Sequence, residues 1–382
     1  MQYDILRYDR LQQYGHLMWD VDGTMTRGDV LSDDIVIRIF QLCQNQHIYN
    51  SFITGRDPEW IIEKVINVMG KFPLFSRALD KLSFWAEVGC VKIEVNIEVG
   101  LNGQSKLKIE KVVNPLLEGH DIMRPDVRNA LRALAYDPTQ DHDRKMLPYE
   151  AGVPNEKPNI IFDANKVPWQ VDLSKYKPPC PDYIWSPYKE VFGTLEIIRD
   201  SAGQCLRPDS QKPFVKIIED KLAELGCSET IGVEEVGTAL NIIPKLNGIS
   251  LGKAWASGMS LLHIANHKLG GSKVLDHVVD GTLAFGDGKS DLDFTKPYFG
   301  VEDQKSLTHK TLPIVFVGGD KDLPSPTDSN ADLLDNIIIR STGVNTIRQR
   351  RNGQPYLDTC DGPDTVIKVL DVLKAWDYFQ RL

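Results

Sequence analysis

The sequence has little positive charge, few cysteines and no long apolar run, and each shortage argues against a class of protein. Lys and Arg number 44 against 53 Asp and Glu, so the formal net charge is −9. A chain with this balance lacks a general basic footprint, and we expect it to bind no nucleic acid. No stretch approaches the roughly 18 apolar residues that cross a bilayer. The first residues hold no apolar segment typical of a signal peptide, so we expect no membrane association.

The six cysteines are scattered, and no two of them have C-x-x-C spacing. This pattern argues against a zinc site or a disulfide framework and favours reduced cysteines in a cytoplasmic protein. With 382 residues, of which 42% are hydrophobic, the chain is long enough for two domains or for one domain with a large insertion. Nothing in these patterns indicates the oligomeric state.

Short apolar runs alternate with helical patterns at both ends of the chain. The runs expected to form buried strands lie at 16–19, 48–53, 81–87, 281–285, 313–317 and 336–340. Amphipathic patterns that predict helices lie at 33–46, 57–70 and 361–382. Strands that alternate with helices predict an α/β fold, in which helices cover both faces of a parallel sheet.

The middle of the chain interrupts this alternation. It contains the strand pattern "VKIEVNIEV", a helical "MRPDVRNALRAL" and a stretch with nine prolines between Pro138 and Pro187. A clean helical pattern at 212–226 and two strand patterns follow. We therefore expect a core in two parts, residues 1–90 and 244–382, with an α+β domain inserted at 91–243.

Polar side chains follow three of the predicted core strands. Asp20 and Asp22 come after the first strand, Thr54 after the second, and Asp287 and Asp291 after the first strand beyond the insertion. Ligands of open parallel sheets bind beyond the carboxyl ends of the strands, so we expect these groups to lie at one edge. Carboxylates that converge there suit a hard cation such as Mg²⁺, which commonly handles phosphate.

The residue types at this edge suit phosphoryl transfer. Asp20 can attack phosphorus as a nucleophile, and Asp22 can protonate the leaving oxygen and then activate water. The Thr54 hydroxyl can donate a hydrogen bond to a phosphoryl oxygen, although it could also simply cap the following helix. Gly55 and Arg56, next along the chain, are candidates for substrate binding, and Arg56 could equally pair with a neighbouring acid.

These motifs resemble the haloacid dehalogenase superfamily. Its signature D-x-D-G-T is "DVDGT" at 20–24, its second motif is "FITGRD" at 52–57, and its G-D-x-x-x-D motif is "GDGKSD" at 286–291. The resemblance implies a Rossmann-like core, a phospho-aspartate on Asp20, and Mg²⁺ held by Asp20, the main-chain carbonyl of Asp22 and an acid of the last motif. Asp22 further implies phosphate-ester hydrolysis, because dehalogenases of the superfamily lack that acid and P-type ATPases have Lys there.

The insertion resembles a C2-type cap. "FWAEVGCVKIEV" at 84–95 is similar to the segment that precedes such caps, and "ALNIIPKLNGIS" at 239–250 is similar to the segment that returns from them. Cof-type, sucrose-phosphate and trehalose-phosphate phosphatases share this layout, which implies a small phosphorylated substrate, such as a phosphosugar. Four aromatic side chains of this region could stack on a sugar or cover a small core: Trp169, Tyr183, Trp185 and Tyr188.

One motif departs from the family pattern. "GISLG" at 248–252 has Leu251 where the C2-capped family has the lysine that pairs with Asp and phosphate. Lys253 lies two residues on, which turns a helical side chain by about 200°, and Lys245 lies six residues before. A shifted helix start could bring in Lys253, a reach from the loop could bring in Lys245, or no lysine takes the role. A catalytically weak metabolite-binding or regulatory protein therefore stays open as an alternative. Phosphomutase chemistry, in which the enzyme holds the substrate while it reorients, also stays open.

Overall fold

The computed structural model describes most of the chain with side chains. The described residues are 14–27, 30–45, 47–99, 105–135, 160–161, 170–171, 183–186, 188–197, 211–236, 239–269, 271, 274–300, 310–319, 322–325, 328, 331–341, 347–349, 355–359 and 362–380. Contacts between residues divide the chain into two compact units, one made of residues 1–114 and 252–382 and the other of residues 115–251.

The strands of the described residues are numbered in chain order. They are β1 (His16–Asp20), β2 (Thr26–Arg27), β3 (Val30–Leu31), β4 (Tyr49–Ile53), β5 (Leu82–Ala86), β6 (Val91–Val99), β7 (Ser105–Val113), β8 (Ile160–Ile161), β9 (Gln170–Val171), β10 (Tyr183–Trp185), β11 (Gly193–Ile197), β12 (Ile231–Val236), β13 (Ala239–Leu246), β14 (Ile249–Ser250), β15 (Thr282–Gly286), β16 (Ile314–Phe316), β17 (Ile337–Ser341), β18 (Ile347–Gln349) and β19 (Pro355–Thr359).

The α-helices lie between these strands and after the last one. They are Asp33–Asn45, Pro58–Ile61, Asn67–Met69, Phe75–Ala78, Pro125–Arg132, Lys212–Glu224, Lys253–His263, Leu275–Asp280 and Gly362–Gln380. Two of them continue into π-helical turns, at Ile62–Ile66 and Ile264–Lys268. Short 3₁₀ segments include Glu87–Gly89 and Lys289–Thr295.

The first unit is built on a ten-stranded sheet with the order β18-β19-β17-β16-β15-β1-β4-β5-β6-β7. The central strands from β19 to β5 pair in parallel, and β5-β6, β6-β7 and β18-β19 pair antiparallel. β1, β5 and β15 are buried along their whole length, as expected for parallel strands with elements packed on both faces. The predicted α/β fold with a parallel core sheet is confirmed.

The division between the units differs from the predicted boundaries. We expected the insertion to begin at residue 91, whereas β6 pairs with β5 and β7 pairs with β6, which extends the core sheet to residue 113. The insertion therefore begins after residue 114, and the core resumes at residue 252 rather than 244. The sequence pattern of β6 and β7 could not reveal this, because alternation predicts a strand but not the sheet that it joins.

The second unit has a smaller antiparallel sheet of its own. Its strands have the order β10-β11-β13-β12, and β14 pairs with β13. The helix Lys212–Glu224 buries Ile218 and Leu222 within the same unit. Tyr183 stacks on Phe214, with ring centroids 4.1 Å apart.

The structure bears on the cysteines and on the apolar character of the helices. Cys43, Cys90 and Cys227 are buried and form no disulfide bond with one another, and the other three cysteines lie outside the described residues. Within the described part of the chain, no helix combines the length and the apolar character that crossing a membrane requires.

Candidate active site

Asp20 lies at the centre of the core sheet, at the carboxyl end of β1. Its neighbours are β4, whose last residue Ile53 pairs with Asp20, and β15, which ends one residue before Asp287. Thr54 directly follows β4. The parallel pairing of these three strands therefore brings the predicted polar residues to one edge, although Asp287 follows Thr54 by more than 200 residues in sequence.

The turn after β1 depends on Gly23. Its φ is +72°, and a Cβ built on it would lie 2.0 Å from Asp287 Oδ2. A side chain at this position would be both strained and in collision with that carboxylate. The hydroxyl of Thr24 donates a hydrogen bond of 3.2 Å to Asp287 Oδ1, so the turn also orients the carboxylate. Thr24 was not among the predicted site residues, although it is the last letter of the "DVDGT" motif.

Lys253 is the cation that lies among the acids. Its ammonium contacts Asp20 Oδ1 and lies 3.1 Å from Asp291 Oδ1. All three side chains are buried. Burial alone would lower the pKa of Lys253, but the charges of Asp20 and Asp291 raise it above its ordinary value, so the ammonium keeps its proton.

The start of the helix explains how Lys253 reaches this position. Gly252 is extended, with φ −115° and ψ −151°, and the helix begins at Lys253 itself. Leu251 precedes the helix and is fully buried. The ammonium of Lys245, by contrast, donates a hydrogen bond of 2.9 Å to Ser228 O within the second unit. The lysine that contacts Asp20 therefore lies two residues after Leu251.

Three carboxylates form the acidic part of the site. One oxygen each from Asp20, Asp287 and Asp291 lie within 4.8 Å of one another. Asp291 Oδ2 accepts hydrogen bonds from the main-chain N–H groups of Asp287 at 3.0 Å and Gly288 at 2.8 Å. These bonds hold Asp291 in the cluster.

The electrostatics of the cluster fit a divalent cation. Burial and then Asp291 raise the pKa of Asp20 well above its ordinary value, against the opposing charge of Lys253. The same two causes raise the pKa of Asp287 to about 7. Three carboxylates beside one ammonium leave an excess of negative charge, and oxygen ligands of this kind are those that Mg²⁺ prefers. The residues present therefore suit such an ion.

Asp22 lies apart from this cluster, with Thr54 and Arg56. Asp22 Oδ2 accepts hydrogen bonds from Thr54 Oγ1 at 3.1 Å and from Arg56 Nε at 3.3 Å. The main-chain N–H of Arg56 donates to Thr54 Oγ1 at 3.0 Å. We considered two roles for Arg56, substrate binding and pairing with a neighbouring acid. The structure shows the pairing, and the acid is Asp22.

Thr54 does not cap the following helix. Asp57 takes that place, since its carboxylate accepts a hydrogen bond of 2.8 Å from Trp60 N. The loop from Thr54 to Arg56 is therefore separate from the helix cap. Gly55 in this loop is half-buried. Among the described residues, no atom lies within 4 Å of the position that a Cβ of residue 55 would occupy.

The aromatic side chains of the insertion belong mainly to a core. Tyr183 and Trp185 are buried in the second unit, and the guanidinium groups of Arg128 and Arg132 lie over the Trp185 ring at 5.9 and 5.6 Å. Tyr188 is half-buried, and Trp169 lies outside the described residues. Of the two interpretations that we considered, a covering role fits Tyr183 and Trp185 better.

No protein-family model and no curated protein matches the chain. Solved structures with a similar fold include the trehalose-6-phosphate phosphatase C-terminal domain of C. albicans, 14% identical with 97% of each chain covered and a TM-score of 0.48. The IMP-nucleotidase of Plasmodium falciparum is 11% identical over 87% of this chain and 65% of its own, with a TM-score of 0.41. A haloacid dehalogenase-like hydrolase from Bacteroides thetaiotaomicron is 15% identical over 79% and 94%, with a TM-score of 0.37. At these values the likeness concerns the fold alone.

Proposed function

We propose that the protein is a phosphohydrolase that cleaves a small phosphorylated metabolite through a phospho-aspartate on Asp20. One observation carries the proposal: Asp20 ends the central strand of a parallel sheet and contacts Lys253 within a cluster of two further carboxylates. A buried carboxylate that is paired with a cation and lies at such an edge is placed for nucleophilic attack.

In the first half-reaction, an Asp20 oxygen forms a bond to phosphorus while the bond to the ester oxygen breaks. Asp22 donates a proton to that leaving oxygen. The ammonium of Lys253 and the hydroxyl of Thr54 stabilise the charge that develops on the phosphoryl oxygens.

In the second half-reaction, Asp22 takes a proton from water, which attacks phosphorus and releases inorganic phosphate from Asp20. Asp20, the main-chain carbonyl of Asp22 and Asp287 would hold Mg²⁺, which when bound would supply positive charge opposite the phosphoryl oxygens. Asp291 would keep its contact with Lys253 beside these ligands. Arg56 and Gly55 would lie against the bound phosphate.

The substrate is proposed to be a phosphosugar or a similar small phosphate ester. This finer proposal rests on the resemblance of residues 84–95 and 239–250 to the segments that flank C2-type caps. A cytoplasmic location likewise stays a prediction from the cysteine pattern.

The test is phosphate release from p-nitrophenyl phosphate and from a panel of phosphosugars and nucleoside monophosphates, with Mg²⁺ and with EDTA. We expect metal-dependent turnover that Asp20→Asn abolishes. Asp276→Asn is the matched control, because that aspartate is exposed and pairs with Lys310. A folded protein that binds Mg²⁺ but releases no phosphate from any compound would contradict the proposal and favour a metabolite-binding role.

A further inference from the structure

The turn after β5 has an unusual backbone. Glu87, Val88 and Gly89 have φ angles of 48°, 46° and 89°, which puts three consecutive residues in the left-handed region. Glycine adopts this region readily, whereas a β-branched residue such as Val88 is strained there. Strain of this kind persists only where the surrounding structure imposes it, and it concentrates near functional sites.

One set of contacts joins this turn to the loop that carries Thr54. Val88 N donates a hydrogen bond of 2.9 Å to Thr54 O, and Glu87 N donates one of 3.0 Å to Arg56 O. Thr54 N donates in turn to Trp85 O at 3.0 Å. The main chain of Thr54 is therefore held at both its N–H and its carbonyl by residues 85–88.

A second contact joins the turn to the helix that begins at Lys253. A Cβ built on Gly89 would lie 2.8 Å from Ala256 Cα and 3.2 Å from Ala256 Cβ. Ala256 belongs to the first turn of that helix, three residues after Lys253. Because the nearest atom is main chain, no side-chain rotation would relieve the collision, and the helix itself would have to shift.

We propose that the turn Glu87–Gly89 is a positioning element that fixes the Thr54 loop relative to the first turn of the Lys253 helix. The inference rests on the proposed function, in which Thr54 and Lys253 hold the same phosphoryl group. These residues come from segments about 200 positions apart in sequence, and the turn contacts both segments. Small displacements of such groups are costly, since a shift of about 1 Å can reduce a rate by about 100-fold.

The decisive variant is Gly89→Ala, which adds one methyl group against the Ala256 main chain. We expect kcat/KM for p-nitrophenyl phosphate to fall by about 10- to 100-fold. The dissociation constant of inorganic phosphate, measured by calorimetry in the presence of Mg²⁺, should rise with it. Gly271→Ala is the matched control: its φ is +124°, but no atom of the described residues lies within 4 Å of the added Cβ. That variant carries backbone strain without the contact, and its kinetic constants should equal those of the wild type.

Val88→Gly is the second variant, and it decides the question if Gly89→Ala does not fold. Glycine relieves the strain, but it has a wider range of accessible φ and ψ and lacks the buried Val88 side chain, so the turn should lose rigidity. We expect a fall in kcat/KM of about fivefold or more, again with weaker phosphate binding.

A merely structural defect gives a different result. It lowers the fraction of folded enzyme, so the apparent kcat falls while KM and the phosphate dissociation constant stay unchanged. That result, or wild-type constants in both variants, would overturn the inference. Absence of turnover in the wild type would instead refute the proposed function, and phosphate affinity would still report on the positioning of the site.

Discussion

Each end of β1 has a buried ionisable side chain, and burial shifts the pKa values of these two groups in opposite directions. His16 begins the strand, and burial lowers its pKa to about 3, so the ring is neutral at pH 7. Asp20 ends the strand, where burial and Asp291 raise its pKa while Lys253 opposes them. One end of the strand thus buries a neutral ring, and the other buries several charges.

Neutral partners satisfy both nitrogens of His16. Thr282 Oγ1 donates to Val278 O at 2.6 Å, so it accepts the bond of 3.0 Å from His16 Nδ1. Nε2 is then the acceptor and takes the hydroxyl proton of Ser51 at 2.8 Å. The partners therefore determine the tautomer of the ring.

The hydrogen-bond chain continues across the sheet to β5. Ser51 Oγ accepts from Ser83 Oγ at 2.7 Å, and Ser83 Oγ accepts from Trp85 Nε1 at 3.2 Å. Each hydroxyl donates once and accepts once, which leaves no donor of the chain unsatisfied. The comparison teaches that burial with matched neutral partners stabilises the sheet, whereas burial of unmatched charge prepares a site for a ligand.

The largest expected effect comes from replacing Lys253, the cation beside Asp20 at the end of β1. Lys253→Met removes the ammonium beside Asp20 and Asp291, and we expect kcat to fall by about 10²- to 10³-fold, the loss typical of one transition-state donor. Lys245→Met should retain activity, because that ammonium donates to Ser228 O. Steady-state kinetics of both variants checks this, and the opposite ranking would transfer the role to Lys245.

The second prediction concerns the metal. Mg²⁺ at about 100 times its dissociation constant should stabilise the wild type by about 2.7 kcal/mol. Asp287→Asn should lose most of this gain, since it removes one carboxylate of the cluster. Thermal unfolding of both proteins with Mg²⁺ and with EDTA measures the difference, and an equal gain in both would remove Asp287 from the set of ligands.

In EDTA, the stability of Asp287→Asn should depend less on pH than the stability of the wild type. The pKa of Asp287 is about 7 in the folded protein against an ordinary 3.8, so the folded state binds the extra proton between these values. The metal-free wild type therefore loses stability as the pH rises from 4 to 8, and Asp287→Asn should lose less. Denaturant unfolding at pH 5 and pH 8 compares the two slopes.

The next prediction concerns His16, at the start of β1. Its effect on the pH dependence of stability has the opposite sign to that of Asp287. The folded pKa of His16, about 3, lies below the ordinary 6.5, so the unfolded state binds the proton first. The contribution of His16 is complete above pH 6.5 and is lost as the pH falls towards 3, by about 1.4 kcal/mol per pH unit. His16→Gln should show a shallower slope in denaturant unfolding between pH 6.5 and pH 4. An unchanged slope would contradict the lowered pKa of His16, because the contribution of His263, whose pKa is lowered in the same direction, is added to that of His16 and remains in the variant.

The smallest expected effect concerns the hydrogen-bond chain that runs from His16 to Trp85. Ser83→Ala leaves Trp85 Nε1 without its acceptor and Ser51 without its donor, and we expect a loss of about 1–3 kcal/mol in the free energy of unfolding. Ser250→Ala, at an exposed position, should change it by less than about 0.5 kcal/mol. Equal values for the two variants would show that the chain contributes nothing measurable.

The sequence predicted the α/β core and the acids at its strand ends because both depend on local patterns. Mainly apolar runs followed by Asp20, Thr54 and Asp287 are readable from the chain, and parallel pairing then gathers the groups at one edge. The prediction put residues 91–113 in the insertion, whereas β6 and β7 continue the core sheet, because a strand pattern does not name its partner. The lysine was left among three alternatives for a related reason: helical periodicity does not show that Gly252 is extended and that the helix begins at Lys253.

The sequence by itself therefore determined the fold class of the core and which acids follow which strands. Tertiary structure alone decided which lysine lies beside Asp20, that Glu87 to Gly89 adopt the left-handed conformation, and how His16 is satisfied. The physical reason is the range of the interactions. Periodicity and turn chemistry act between residues a few positions apart, whereas these three features arise from packing between segments that are distant in sequence.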